Sequence, residues 1–294
     1  MRLDWQCAPV DAVRGTVRVP GDKSISHRAI MLGALAEGTT EVSGFLEGED
    51  CLATMRAFQA MGVEIVHHGA GRVTVHGAGL HGLRAPAAPL DVGNSGTSMR
   101  LLAGVLAGQP FDAVLVGDAS LMKRPMRRVT EPLALMGAEI VTSDVGTAPL
   151  VIHGRPLHGM DYTLPVASAQ LKSALLFAGL FADGTTRITE TGVSRDHSER
   201  MLRGFGVEIG KEGATLAIRG GQRLSACEVV VPGDVSSAAF FMVAALIARE
   251  GELLLENVGM NPTRAAVVEI LRAMGGDIEI LHAREAGGEP VADL

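Results

Sequence analysis

An α/β (α+β) fold built from repeated βαβαββ units, with one domain complete and a second incomplete, is predicted by three observations. One order of elements recurs four times along the chain: a Gly- or Ser-rich loop, an apolar helix, a strand, a second helix closed by glycine, and alternating strand residues. The closing glycines Gly62, Gly137, Gly206 and Gly275 lie 75, 69 and 69 residues apart. Within each unit the hydrophobic period switches between that of a helix and that of a half-buried strand.

The first unit runs GDKSISHRAIMLGALAEGTTEVSG, DCLATMRAFQAMGVEIV and RVTVHG. Ile25, Ala29, Leu32 and Leu35 fall at helical spacing in it, while TEVSG and RVTVHG alternate. The second unit opens on GNSGTSMRLLAGVLAG, with Met99, Leu102 and Leu106 at helical spacing, and the third on ASAQLKSALLFAGLFADG. The fourth opens on GDVSSAAFFMVAALIAREG. Its first helix is apolar nearly all round and is expected to be buried on most sides. Glycine at each helix end suits a left-handed C-cap. Three units make a finished domain over residues 21–232. Residues 233–294 form the first unit of an unfinished one, to which a strand within residues 1–20 belongs. That fourth unit is also expected to expose apolar surface and so to promote association.

Composition narrows the function. With 294 residues, 47% of them hydrophobic, the chain can bury one large core or two ordinary ones. The longest apolar run, Ala238 to Ala248, is far short of the roughly 18–20 residues that a membrane-spanning helix needs, and no secretory signal is expected from the opening residues, which include Asp4 and no apolar stretch. A cytoplasmic, reduced setting is expected, with Cys7, Cys51 and Cys227 as buried small hydrophobes. A net charge of -7 and 3% aromatic residues give no footprint for nucleic acid. The histidines His67, His68, His76 and His81 have no ligand spacing, so no metal site is expected. No P-loop or GxGxxG fingerprint indicates a nucleotide.

Equivalent loops of repeated units converge, so the loops opening the first helices of units one to three are expected to share one end of their domain. They bring Lys23, Ser24 and Arg28, then Asn94 to Thr97 with Arg100, then Ser168, Gln170 and Lys172. Arg124 and Arg195 come from later connections. Helix N-termini aimed inward beside Lys and Arg make a polyanion site. Each motif also has a plainer reading: Asp22, Ser24 or Ser168 as caps, Gln170 on a solvated face, SRDHSER as a charge-laced helix start. Arg127 and Arg128 read as a solvated basic run. His27 and His197 lack a partnering nucleophile and read as structural or solvated.

Taken together, GDKSISHRA, GNSGTSMR, GDASLMKRPM, SAQLKSA, SRDHSERM and GDVSSAAFF resemble the 5-enolpyruvylshikimate-3-phosphate synthase family, in the same order and across essentially the whole chain. The resemblance implies two similar domains of three units each, an inside-out α/β barrel architecture, of which this chain has four units. The implied reaction transfers the enolpyruvyl group of phosphoenolpyruvate to the 5-hydroxyl of shikimate 3-phosphate, releasing phosphate, with no cofactor. Lys23, Ser24, Arg28, Ser168, Ala169, Gln170 and Arg195 are implied to hold shikimate 3-phosphate. Lys23, as the catalytic-site lysine, would join Asn94, Gly96, Arg124 and Gln170 around phosphoenolpyruvate. The family's acid and base carboxylates lie in motifs that would follow Leu294, so the chain as written is expected not to complete turnover, and a full-length form is expected to be monomeric. Ala169 stands where some members have a second serine. Gly96 leaves its pocket without an extra methyl, so inhibition by glyphosate is expected of a completed protein. Two alternatives stand beside this reading. One is a UDP-N-acetylglucosamine enolpyruvyl transferase, whose Lys-Asn loop and reactive Cys loop are missing here. The other is a non-catalytic shikimate 3-phosphate-binding fragment.

Overall fold

The computed structural model describes residues 10–294 together with Asp4, Gln6 and Ala8. Cys7 lies outside them. The chain divides into two compact units, one of residues 23–231 and one of residues 1–22 with 232–294. Eight α-helices are present among the described residues: α1 Lys23–Leu35, α2 Glu49–Ala60, α3 Gly96–Ala107, α4 Arg127–Ala134, α5 Ala169–Gly179, α6 His197–Gly204, α7 Val235–Ile247 and α8 Ala266–Ala273.

The unit of residues 23–231 contains three four-stranded sheets of one design. In each, a leading strand runs parallel to the strand that follows the first helix, and the unit's last strand lies antiparallel between that strand and the penultimate one. The second sheet orders Leu90–Asp91, Asp112–Val116, Leu150–His153 and Glu139–Val141. The third orders Asp161–Thr163, Thr185–Thr189, Thr215–Arg219 and Ile209–Glu212. The first sheet departs in one respect. Its leading strand is Glu228–Val230, which pairs in parallel with Glu37–Ser43 through Glu228 to Glu41, Val229 to Val42 and Val230 to Ser43. The end of the segment therefore supplies the strand that its beginning lacks.

The first helices of the three repeats form the centre. All of α1 from Ile25 to Leu35 is buried, as are α3 apart from Thr97 and α5 from Leu171 onward. Because they meet protein on nearly every face, these helices are largely apolar, and the polar side chains they carry, Arg28 and Lys172 among them, find partners inside the protein. The strands cover them with one side only: Thr40 and Val42 are buried while Thr39 and Glu41 are exposed. The closing glycines Gly62, Gly137, Gly206 and Gly275 have φ of 87°, 92°, 83° and 93°, a region that glycine enters without steric cost.

Helices α3 and α5 pack closely at Gly104, where a Cβ would stand 2.1 Å from the carbonyl oxygen of Ala174. The substitution Gly104→Ala must push two buried helices apart. It is expected to lower stability by about 2–3 kcal/mol, seen as a fall of roughly 5–10 °C in Tm. Gly204→Ala is the control, since a Cβ there meets nothing within 4 Å.

In the unit of residues 1–22 and 232–294, Ala12–Val17 pairs in parallel with Glu250–Leu255, and Val258–Gly259, Glu289–Asp293 and Leu281–Ala286 form an antiparallel sheet. Two Pro-Gly-Asp segments lie side by side: the Asp22 N–H donates to the Pro232 carbonyl at 2.8 Å and the Asp234 N–H to that of Pro20 at 2.9 Å. Arg264 clamps both, pairing with Asp22 and Asp234 at 2.9 Å each. Contrary to the expectation from its composition, α7 is not buried on most sides. Only Val235, Ala238 and Met242 are buried, and Phe240 and Ile247 are 79% exposed. Its counterparts α1, α3 and α5 are enclosed because three such helices pack together, whereas this unit holds one.

Candidate active site

Three helices start close together in the unit of residues 23–231, and their first residues are Lys23, Gly96 and Ala169. Two buried polar relays tie these starts in place. In one, Arg28 on α1 donates through Nε to Ser198 Oγ at 2.6 Å, through Nη2 to Ser173 Oγ at 2.7 Å, and through Nη1 to the Ser24 carbonyl at 2.8 Å. Ser173 in turn donates to the Ala169 carbonyl at 2.6 Å. In the other, His27 Nδ1 lies 2.8 Å from Thr54 Oγ1 on α2, which is 2.6 Å from Ser98 Oγ on α3. His27 is fully buried, and burial, then the charges of Lys23 and Arg28, push its pKa down to about 3. The imidazole is neutral and structural. His197 is buried as well.

Each candidate binding residue has a defined place. Lys23 is exposed at the start of α1, where its Nζ pairs with Asp50 of α2, and Ser24 is half-buried beside it. Ser168 caps α5, its Oγ accepting from the Leu171 N–H at 3.3 Å. Arg195 is exposed in the loop before α6. Asn94 donates through Nδ2 to Asp118 at 2.6 Å and accepts from Arg124 Nη2. The Asn94 bond and the Leu121 N–H, with lesser help from the Ser120 N–H and the Arg124 charge, hold the Asp118 carboxyl below its usual range against the opposing effect of desolvation.

The densest positive charge surrounds Gly96. A Cβ at this position would stand 2.6 Å from Arg100 Nη1 and 3.3 Å from Arg124 Nη1. Arg100 is buried, donating to the Gly96 carbonyl at 3.1 Å and to the Pro125 carbonyl at 3.3 Å, and its Nε has no partner within the protein. Burial, then Arg128 and Arg124, lower its pKa to about 10, so it stays charged at neutral pH. Gln170 bridges the helix starts, its Nε2 donating to Thr97 Oγ1 at 3.1 Å and its Oε1 accepting from Arg100 at 3.1 Å and from Arg128 at 3.0 Å. No carboxylate forms an ion pair with Arg100, Arg124 or Arg128 among the described residues.

Two sequence expectations change. Lys172 does not face the helix starts; it is 0% exposed and pairs with Glu190 at 3.0 Å and Glu199 at 2.7 Å. Arg128 is not a merely solvated charge, since it holds Gln170, while its neighbour Arg127 turns to the Asp144 carbonyl at 2.8 Å. Nothing local in RPMRRV separates the two arginines; the packing of α4 beside α5 does.

The model of the EPSP synthase (3-phosphoshikimate 1-carboxyvinyltransferase) family matches residues 7–290. The chain belongs to this family. It is 64% identical over 293 residues to the 3-phosphoshikimate 1-carboxyvinyltransferase of Alkalilimnicola ehrlichii, covering 99% of this chain and 66% of that one. With the protein of the same name from Halorhodospira halophila it shares 65% over 292 residues, 99% and 66% of the two chains. A solved EPSP synthase from Acinetobacter baumannii superposes with a TM-score of 0.91 at 56% identity, over 95% of this chain and 63% of that one. The chain thus spans about two thirds of the length of the relatives it matches. The repeated α/β architecture expected for the family is the one seen here. No group of metal-ligating side chains occurs among the described residues, and no helix there is long and apolar enough to cross a membrane.

Proposed function

We propose that residues 23–231 bind shikimate 3-phosphate and phosphoenolpyruvate for transfer of the enolpyruvyl group to the 5-hydroxyl, with release of phosphate. The observation that carries this reading is the group of three guanidiniums around Gly96 and Gln170, none of which forms a direct ion pair with a carboxylate among the described residues. Two substrates bearing phosphate and carboxylate groups repel each other, and charge-assisted bonds from Lys and Arg offset that repulsion. Lys23, Ser24 and Arg28 on α1, Ser168, Ala169 and Gln170 at the start of α5, and Arg195 form the shikimate 3-phosphate side, with Arg28 also tying the helices together. Gly96, Arg124, Asn94 and Gln170 form the phosphoenolpyruvate side, with Lys23 between. Backbone N–H groups at helix starts add to both. Holding the reactants together supplies a large share of such an acceleration. The family's name for its members supports the reaction, and Cys51 and Cys227, which form no disulfide with each other, support a cytoplasmic setting.

Calorimetry tests the reading. Shikimate 3-phosphate is expected to bind the chain, and phosphoenolpyruvate to bind it more tightly once the first ligand is present. Absence of heat with both ligands would overturn the proposal. Phosphate release in the same mixture then separates turnover from binding alone.

A further inference from the structure

Gln170 is held in one of its two amide orientations by partners that cannot accept a hydrogen bond. Its Oε1 takes bonds from Arg100 Nη1 at 3.1 Å and Arg128 Nη2 at 3.0 Å. A guanidinium carries donors only, so rotating the amide by half a turn would set its NH2 against two further donors. The nitrogen edge therefore faces α3, where Nε2 donates to Thr97 Oγ1 at 3.1 Å, one residue from Gly96. One of the two amide hydrogens is used there, which leaves the other for an acceptor. The two arginines differ in their ties. Arg100 is buried and anchored to two carbonyls, whereas Arg128 is exposed on the first turn of α4 and has Gln170 as its hydrogen-bond partner.

We infer that Arg128 is a positioning residue that fixes the polarity of Gln170, so that an anionic ligand at Gly96 meets an amide donor and never the amide oxygen. A flipped Gln170 would turn a lone pair toward the anion and replace an attraction with a repulsion. Arg128 acts through Gln170 and need not touch the ligand. The identity of the anion as phosphoenolpyruvate rests on the function proposed above; the geometry of Gln170 does not.

The test has a ligand-free arm and a ligand arm, both on the full chain. In the first, the side-chain amide signals of Gln170 are assigned by 15N NMR as the pair missing from Gln170→Leu. They are expected to be one sharp pair away from the positions of solvated glutamines, and to broaden or move toward those positions in Arg128→Met. Arg128→Lys, which keeps a donor, is expected to retain part of the displacement. An unchanged pair in Arg128→Met overturns the inference whatever the ligand. In the second arm, phosphoenolpyruvate is titrated in the presence of shikimate 3-phosphate. Arg128→Met is expected to weaken it about tenfold, the scale of one lost oriented hydrogen bond, while shikimate 3-phosphate affinity changes less than about twofold. In a Gln170→Ala background the same substitution is expected to add nothing. Additive losses in the double variant would show that Arg128 touches the ligand itself and would also overturn the inference. Failure of the unaltered chain to bind either ligand overturns the proposed function, and the NMR arm still decides on Arg128.

Discussion

Replacing Lys172 by methionine is expected to destabilise the unit of residues 23–231 by about 3–5 kcal/mol, the cost of stranding buried charges without their partner. Lys172 has no solvent exposure, and its Nζ stands between Glu190 and Glu199 at 3.0 and 2.7 Å. The second oxygen of Glu199 has no partner within the protein, and Glu190 accepts one other bond, from Ser194 Oγ at 2.6 Å. Removing the ammonium leaves two carboxylates facing each other in the interior. Urea unfolding measures the loss. The double variant Lys172→Met with Glu199→Gln is expected to recover part of it, because one of the two stranded charges is gone. A Lys172→Met chain as stable as the parent would mean that the pairing contributes nothing.

The second large effect is on pH. His27 has a folded pKa of about 3 against 6.5 for the free side chain. Above pH 6.5 both states hold a neutral imidazole and the group has no influence. Below it the unfolded chain takes up a proton that the folded chain refuses, so stability falls as pH falls. The slope approaches about 1.4 kcal/mol per pH unit, for a loss of about 2.5 kcal/mol between pH 7.5 and 4.5. Glu47, Asp118 and Asp293 are also held below their ordinary values, but their ordinary values are 4.5 and 3.8, so their share of the acid loss comes lower. The charged groups facing His27 are Lys23 and Arg28, and its hydrogen-bond neighbours Thr54, Ser95 and Ser98 carry hydroxyls. Urea midpoints across this window are expected to slope with pH, and His27→Gln is expected to flatten the slope. A parallel slope in the variant would remove His27 as its source.

The parts that were legible in the sequence are those set by local chemistry. The closing glycines announced helix ends because a left-handed residue is a local need, and Ile25, Ala29, Leu32 and Leu35 announced a helix because its period is read from neighbours along the chain. The residues around Gly96 were legible as a group because the repeat brings equivalent loops together. What escaped was decided by contacts between distant residues. Lys172 in SAQLKS looks like one more cation of a basic loop until Glu190 and Glu199 are seen beside it. Arg128 looks solvated until Gln170, far along the chain, is placed under it. The exposure of α7 is not legible in its composition, because an apolar helix tells what it could bury against, and not whether partners for it lie in the same unit.

The pairing of Glu37–Ser43 with Glu228–Val230 bears on how the molecule is made. A chain leaves the ribosome at roughly 5–20 residues per second, so roughly 10–40 s pass between delivery of Ser43 and delivery of Glu228. Through that time the first sheet of the unit of residues 23–231 keeps one edge of unpaired N–H and C=O groups, the kind of edge that invites other chains. Within the unit of residues 23–231 the earliest sheet is thus the last to be completed, and its open edge is where the nascent segment is most exposed to misassembly.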